Sequence, residues 1–321
     1  MILRRRTFIA ATAAAISGVA MAQTASGTIK IIVPYPPGQG IDMIMRLLSD
    51  SLSRRLKQPI IVDNKPGAGG VLGTDYAIKQ PADGLTLFAG SSGSLSVAPT
   101  LQAKVVRYNP VKDAEPITGI ASVAQAMVVT ANSPFKNLGE LVAAAKENPG
   151  KLAYGSSGNG STQHLFMESF AHTAGIKLMH VPYKGAGPAF ADLMGGHLAV
   201  MFDTIPALVP QIKSGAVRAL GVTSAKRFPG LPDTPAISER YKGWQAEGWI
   251  TLMGPAGMRP ELADRYDHEV RASLREPAIA QKLKDMGFVE MQESRGDLRK
   301  FIQAELIKWK TVIDTAGISS E

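Results

Sequence analysis

Cysteine is absent from the chain, which removes disulfides, thiolate nucleophiles and cysteine-held zinc together. Histidine is scarce: His164, His172, His180, His197 and His268 fall at no spacing that suggests a metal site or a catalytic triad. Beyond the first 22 residues no apolar run is long enough to cross a bilayer. Like charges never gather in a block of five or six. Despite a formal net charge of +8, nucleic-acid binding therefore lacks its electrostatic footprint. A nucleophile elbow is missing too, because Gly90-Ser-Ser-Gly-Ser94 and Gly155-Ser-Ser-Gly-Asn159 both fail the Gly-x-Ser-x-Gly pattern at its last position. That counts against an exported hydrolase. Gly67, Gly69 and Gly70 approach a dinucleotide fingerprint, but Leu72 stands where its third glycine belongs, so a turn and a helix start are expected. No metal, cofactor or catalytic residue is expected.

What the chain does have begins at its N-terminus. Arg4, Arg5 and Arg6 precede an apolar run over residues 8–19, and Ala20-Met21-Ala22 supplies the small-x-small pattern that signal peptidase cuts after. The run, about 12 residues, is shorter than the roughly 20 that span hydrocarbon. Residues 1–22 therefore read as a cleaved export signal, with the mature protein starting at Gln23 in the periplasm. Arg5-Arg6-Thr7-Phe8-Ile9 fits a Sec or a twin-arginine route equally. The mature chain keeps about 300 residues and a charge of about +5, more chain than one core usually serves, so two lobes are expected. A mild positive field suits small anions without requiring them.

Strand and helix patterns alternate. β-branched residues over 28–33, 59–63 and 85–89 read as buried strands, each followed by a Gly/Pro/Ser turn. Met43, Leu47, Leu48, Leu52 and Leu56 recur at helical spacing between the first two. The pattern restarts with strands at 127–130, 151–154, 177–181, 198–202 and 217–222 and helices at 138–147 and after Ser161. Residues 228–235 are Pro-rich and irregular, and 261–275, 278–286 and 297–316 are amphipathic helices. Such alternation predicts an α/β fold in which each lobe is a mostly parallel sheet flanked by helices.

Several Gly/Ser loops fall directly after strands. Such a loop presents free backbone N–H groups at the carboxyl edge of a parallel sheet. Glycine allows close approach, and serine or threonine adds hydroxyl donors. One loop of this kind in each lobe would clamp an anion from both sides.

The motifs Pro36-Pro-Gly-Gln-Gly-Ile-Asp42, Asp63-Asn-Lys-Pro-Gly-Ala-Gly-Gly70, Pro81-Ala-Asp-Gly84, Tyr154-Gly-Ser-Ser-Gly-Asn-Gly-Ser161, His180-Val-Pro-Tyr-Lys-Gly185 and Leu193-Met-Gly-Gly196 occur in this order. The set resembles the Bug family, the TctC-like receptors of tripartite tricarboxylate transporters, across essentially the whole mature chain. The resemblance implies a periplasmic-binding-protein fold of the two-crossover type. Lobe 1 would comprise residues 23–124 plus 248–321, and lobe 2 residues 125–247. It also implies a di-, tri- or aromatic carboxylate ligand, delivery to the permease subunits of a membrane transporter, and a monomer. A ligand-presenting sensor for a signalling receptor would use the same fold.

By the same resemblance, Gly38, Gln39, Gly40, Ile41 and Asp42 match a ligand loop in the first lobe. Ser157, Gly158, Asn159, Gly160, Ser161 and Thr162 match its counterpart, with Ser91, Ser92 and Asp203 at strand ends bordering the cleft. Gln39 stands at a common glycine position and Ile41 where a hydroxyl residue is frequent, which points to a larger or partly apolar carboxylate. Asp42 suits a helix cap as well as a ligand contact, and Asp203 an Asx-turn. Lys184 suits a surface charge, and Trp244 and Trp249 suit packing as well as stacking on a ligand. His164, in the first turn after the second loop, either lines the cleft or packs.

Overall fold

Strands of a parallel sheet are covered on both faces, so they must be apolar along nearly their whole length. The computed structural model describes residues 27–183 and 185–319; the expected export signal and Lys184 lie outside them. The first segment forms β1 (Ile29–Val33), α1 (Gly40–Leu56), β2 (Ile60–Asn64), α2 (Val71–Ile78), β3 (Thr86–Ser91) and α3 (Ala98–Leu101). A long strand β4 (Ala114–Thr130) then leads to α4 (Leu138–Glu147), β5 (Ala153–Ser156), α5 (Thr162–Ala174), β6 (Met179–Pro182), α6 (Ala186–Met194), β7 (Val200–Thr204), α7 (Ile205–Lys213) and β8 (Val217–Val222). The chain returns along β9 (Glu247–Pro255) and ends with α8 (Pro260–Leu274), α9 (Pro277–Asp285), β10 (Val289–Glu290) and α10 (Arg295–Ala316).

Each lobe has a parallel heart: β2-β1-β3 in the first and β7-β5-β6 in the second. Joining them is an antiparallel ribbon that the strand pattern missed. β4 pairs with β9 from Ala114 to Ala124, then exchanges it for β7 and β8 from Gln125 onward. The sheet is therefore mixed, with parallel pairing confined to the strands that α-helices connect. Most of β4 escapes a strand pattern because it is Ala-rich and carries Pro116 and Gly119. Pro116 is tolerated because the register slips beside it and β10 covers the other edge only at Ala121 and Ser122.

Helix α1 shows how the burial sets its phase. Ile41, Ile44, Met45, Leu48, Leu52 and Leu56 line its buried face; Leu48, Leu52 and Leu56 lie where expected, whereas Met43 at the start of the expected stripe is exposed. Helix α10 contributes to two core clusters. Its Leu298 and Ile302 pack with Ile32 and Phe88, while Trp309 and Ile313 pack with Phe166 and Phe170 beneath the second sheet. It straddles both cores. Trp244 and Trp249 also pack: their indole N–H groups donate to Ser169 and Glu305.

Candidate functional site

The N–H groups of a helix's first turn have no acceptor within the helix. Helices α1 and α5 both begin just past the carboxyl end of a parallel strand, one in each lobe. Before α1, Pro36 and Pro37 forbid earlier helix, Gly38 takes φ +85°, and Gln39 is the N-cap without a side-chain cap bond. Gly40 passes so close to the Phe288 ring that an added Cβ would lie 2.9 Å from its tip and push the ring aside.

Asp42 is 2% exposed and fully engaged. Its carboxylate accepts the Gly38 N–H at 2.8 Å, the Asn64 amide at 2.8 Å and Arg46 Nε at 3.0 Å. Burial alone would raise its pKa, yet these hydrogen bonds outweigh it and hold the carboxyl below the ordinary aspartate range. It ties α1 to β2 and is spent there. Ile41 turns its side chain into the first-lobe core. Ser91 and Ser92 are buried where β3 ends. Tyr35, which the sequence reading passed over, brings its hydroxyl to 2.8 Å from Ser91 Oγ.

The second loop is largely self-satisfied. Ser157 N–H donates to Gln163 Oε1, Gly158 N–H to Ser156 Oγ, Gly160 N–H to His164 Nδ1, and Ser161 N–H to Gly158 O. Ser161 is the N-cap of α5, accepting the His164 N–H. The donors expected to grip an anion are thus mostly engaged within the loop, while Asn159 stands exposed at its tip. The first turn of α5 and the Thr162 hydroxyl remain. Gln125, on the floor of the crossover, donates from Nε2 to Thr162 Oγ1 at 2.9 Å, and its buried Oε1 has no partner. Nothing in a lone glutamine within an Ala-rich stretch marked it. Asp203 is 8% exposed; its Oδ1 accepts from Gln163 Nε2 and from the adjoining Thr204 N–H, one residue on rather than the two of an Asx-turn. Burial, ahead of those bonds, raises its pKa.

The loops of the two lobes meet at Gly160, where an added Cβ would lie 2.3 Å from Leu101 of α3. A cavity of about 650 Å³ lies elsewhere, between α7 and α9, lined by Ile205, Pro206, Val209, Leu283 and Phe288 among others. None of the expected site residues line it, although Lys213 and Lys284 do. The expected residues gather instead at the loop ends, at the starts of α1 and α5.

Sequence and fold comparisons agree with this architecture. A family model described as the tripartite tricarboxylate transporter family receptor, TctC, matches residues 44–318. Protein BugT of Bordetella pertussis is 33% identical over 295 residues, covering 90% of this chain and 89% of that protein. The structure of R. palustris Rpa4515 with adipate superposes with a TM-score of 0.75 at 32% identity, over 92% of this chain and 99% of that one. MatC from Rhodopseudomonas palustris with bound malate gives 0.71 at 26% identity, over 89% and 98%. The family is one of periplasmic solute-binding receptors rather than enzymes. With the match spanning most of its length and its two parallel lobes joined by a β4–β9 ribbon, the chain belongs to the TctC family of tripartite tricarboxylate transporter receptors.

Proposed function

We propose that the protein captures a small carboxylate between lobe 1 (residues 23–124 with 248–321) and lobe 2 (125–247), and delivers it to membrane permease subunits without transforming it. The observation that carries this reading is the pair of helix N-termini, α1 and α5, one in each lobe and each directly after a parallel strand. Their first-turn donors suit a carboxylate, as does the favourable end of the helix dipole. The relatives bound to adipate and malate support the ligand class. In this reading Gln39, Gly40 and Thr162 supply backbone donors, Ser91, Thr162 and Gln125 supply side-chain contacts, and Asp42 and Ile41 hold the first loop in place. The export signal ends at Ala22, and the mature receptor works as a periplasmic monomer.

A thermal-shift screen of mono-, di- and aromatic carboxylates tests the reading. Ligand at one hundred times Kd stabilises a receptor by about 2.7 kcal/mol, which is readily seen. A panel in which no carboxylate raises the melting temperature, while a sugar or an amine does, refutes it.

A further inference from the structure

Beneath the second-lobe loop lies a cluster of three rings. The His164 and His180 imidazoles stack 3.8 Å apart and within 11° of parallel, and Tyr154 lies beside the pair, 4.9 Å from His180 and 6.4 Å from His164. Each histidine reaches the loop. His164 Nδ1 accepts the Gly160 N–H at 3.1 Å, which requires that nitrogen to be unprotonated. His180 Nε2 meets Ser156 Oγ at 2.7 Å, and that hydroxyl bonds both the C=O and the N–H of Gly158. Gly158 and Gly160 both have positive φ, so their N–H groups point where these acceptors hold them.

We propose that His164 and His180 are positioning residues that fix the second-lobe ligand loop through Gly160 and Gly158, and that protonating the pair loosens the loop and weakens carboxylate binding. The inference rests on the reading that this loop borders the ligand. A proton on His164 Nδ1 would set N–H against N–H, and two cations in stacked rings would repel. Burial first, and the neighbouring His180 second, push His164 down to about 4; burial lowers His180 as well. The other titratable groups facing the stack, among the described residues, are Tyr154 and Glu168, joined by a hydrogen bond, with Asp203 linked through Gln163 and the Tyr183–Asp192 pair beside the loop. Glu168 offers the imidazoles no ready counter-charge, because burial raises its pKa and its Oε1 is taken by the Tyr154 hydroxyl. The pair therefore stays neutral at pH 7 and loads only in acid.

The test uses the mature protein with three versions of position 164. Asparagine places an oxygen acceptor near Nδ1 but does not titrate; phenylalanine keeps a stacking ring without an acceptor. Amide exchange of Gly160, expressed as protection over the intrinsic rate, is measured at pH 7.5 and 3.5 without ligand, and adipate is the binding probe. In the wild type Gly160 protection should fall about fourfold on acidification. His164→Phe should lose it at both pH values, and His164→Asn should restore it at both. Adipate affinity should drop about fourfold more in the wild type than in His164→Asn between pH 7.5 and 3.5, where His164 is mostly protonated, a comparison that cancels the ligand's own titration. Full Gly160 protection in His164→Phe, or an acid loss in His164→Asn equal to that of the wild type, overturns the proposal. If adipate binds nowhere near the loop while the exchange results hold, the ligand-site reading fails and the positioning role stands.

Discussion

Replacing Glu305 with alanine should destabilise the ligand-free protein by about 3–5 kcal/mol. Its Oε2 accepts two indole N–H groups, from Trp249 on β9 at 3.0 Å and from Trp309 on α10 at 2.9 Å. Trp249 is 3% exposed and Trp309 1%, so neither donor can turn to water, and each stranded N–H costs about 1–3 kcal/mol. Lost packing adds the remainder. The ion pair with Lys308 contributes little, because the lysine is 30% exposed and surface pairs are worth about 0–1 kcal/mol. Glu305→Gln keeps a carbonyl oxygen able to accept both donors, and should cost only about 1 kcal/mol through weaker, uncharged hydrogen bonds. Urea unfolding followed by circular dichroism and by tryptophan fluorescence reads both values, with coincident transitions justifying a single free energy. An alanine variant within about 1 kcal/mol of wild type, or a glutamine variant as damaged as the alanine one, refutes the reasoning.

Asp42→Ala should cost about 1–2 kcal/mol in the ligand-free state, since it removes the acceptor that ties the Gly38 N–H to the Asn64 amide, while Asn64 keeps Tyr35 O and Arg46 can turn to water; an unchanged melting temperature would hand that carboxylate back to ligand binding. Gly160→Ala should lose about 1–2 kcal/mol to its φ of +73° and more to the Leu101 contact. In a Leu101→Ala background only the backbone part should remain, and urea titration of the four proteins separates the two. His164 titrates near 6.5 in the unfolded chain but is held at about 4 in the fold. The unfolded chain therefore binds the proton first, so stability is full above pH 6.5 and drains as the pH falls toward 4. Between pH 7.5 and 4.5 the loss is about 2–3 kcal/mol. Denaturation of wild type and His164→Asn at pH 7.5 and 4.5 measures it, and parallel losses in the two would exclude His164 as the source.

Much of this molecule could be read from its residues in order. Runs such as Ile29-Lys-Ile-Ile-Val33 leave β-structure as the ready outcome, and the turns that follow them stop the chain wherever Pro36, Pro37, Gly155 or Gly158 falls. Local sterics and a short periodicity decide those features, so the parallel heart of each lobe and the positions of its loops were legible. The resemblance carried the two-crossover plan. Most of β4 was not legible, because its Ala residues, Pro116 and Gly119 acquire a strand conformation only through pairing, and β9 was passed over although Trp249-Ile-Thr-Leu252 favours a strand. Nor could the sequence divide α10 between two cores, since both halves share one amphipathic pattern.

The candidate site shows the same division more sharply. Sequence alone determined that glycine and serine would gather at the strand ends, and that α1 and α5 would open there. Only the tertiary structure decided which donors stay available. Asn64, 22 residues from Asp42, claims that carboxylate as a structural tie, and His180, 24 residues from Ser156, anchors the hydroxyl that holds Gly158. Gln125 reaches Thr162 from a different strand altogether. A loop's composition sets how many hydrogen-bonding groups it offers. Which of them face a ligand depends on the acceptors that the rest of the fold packs beneath it, and no local pattern encodes those.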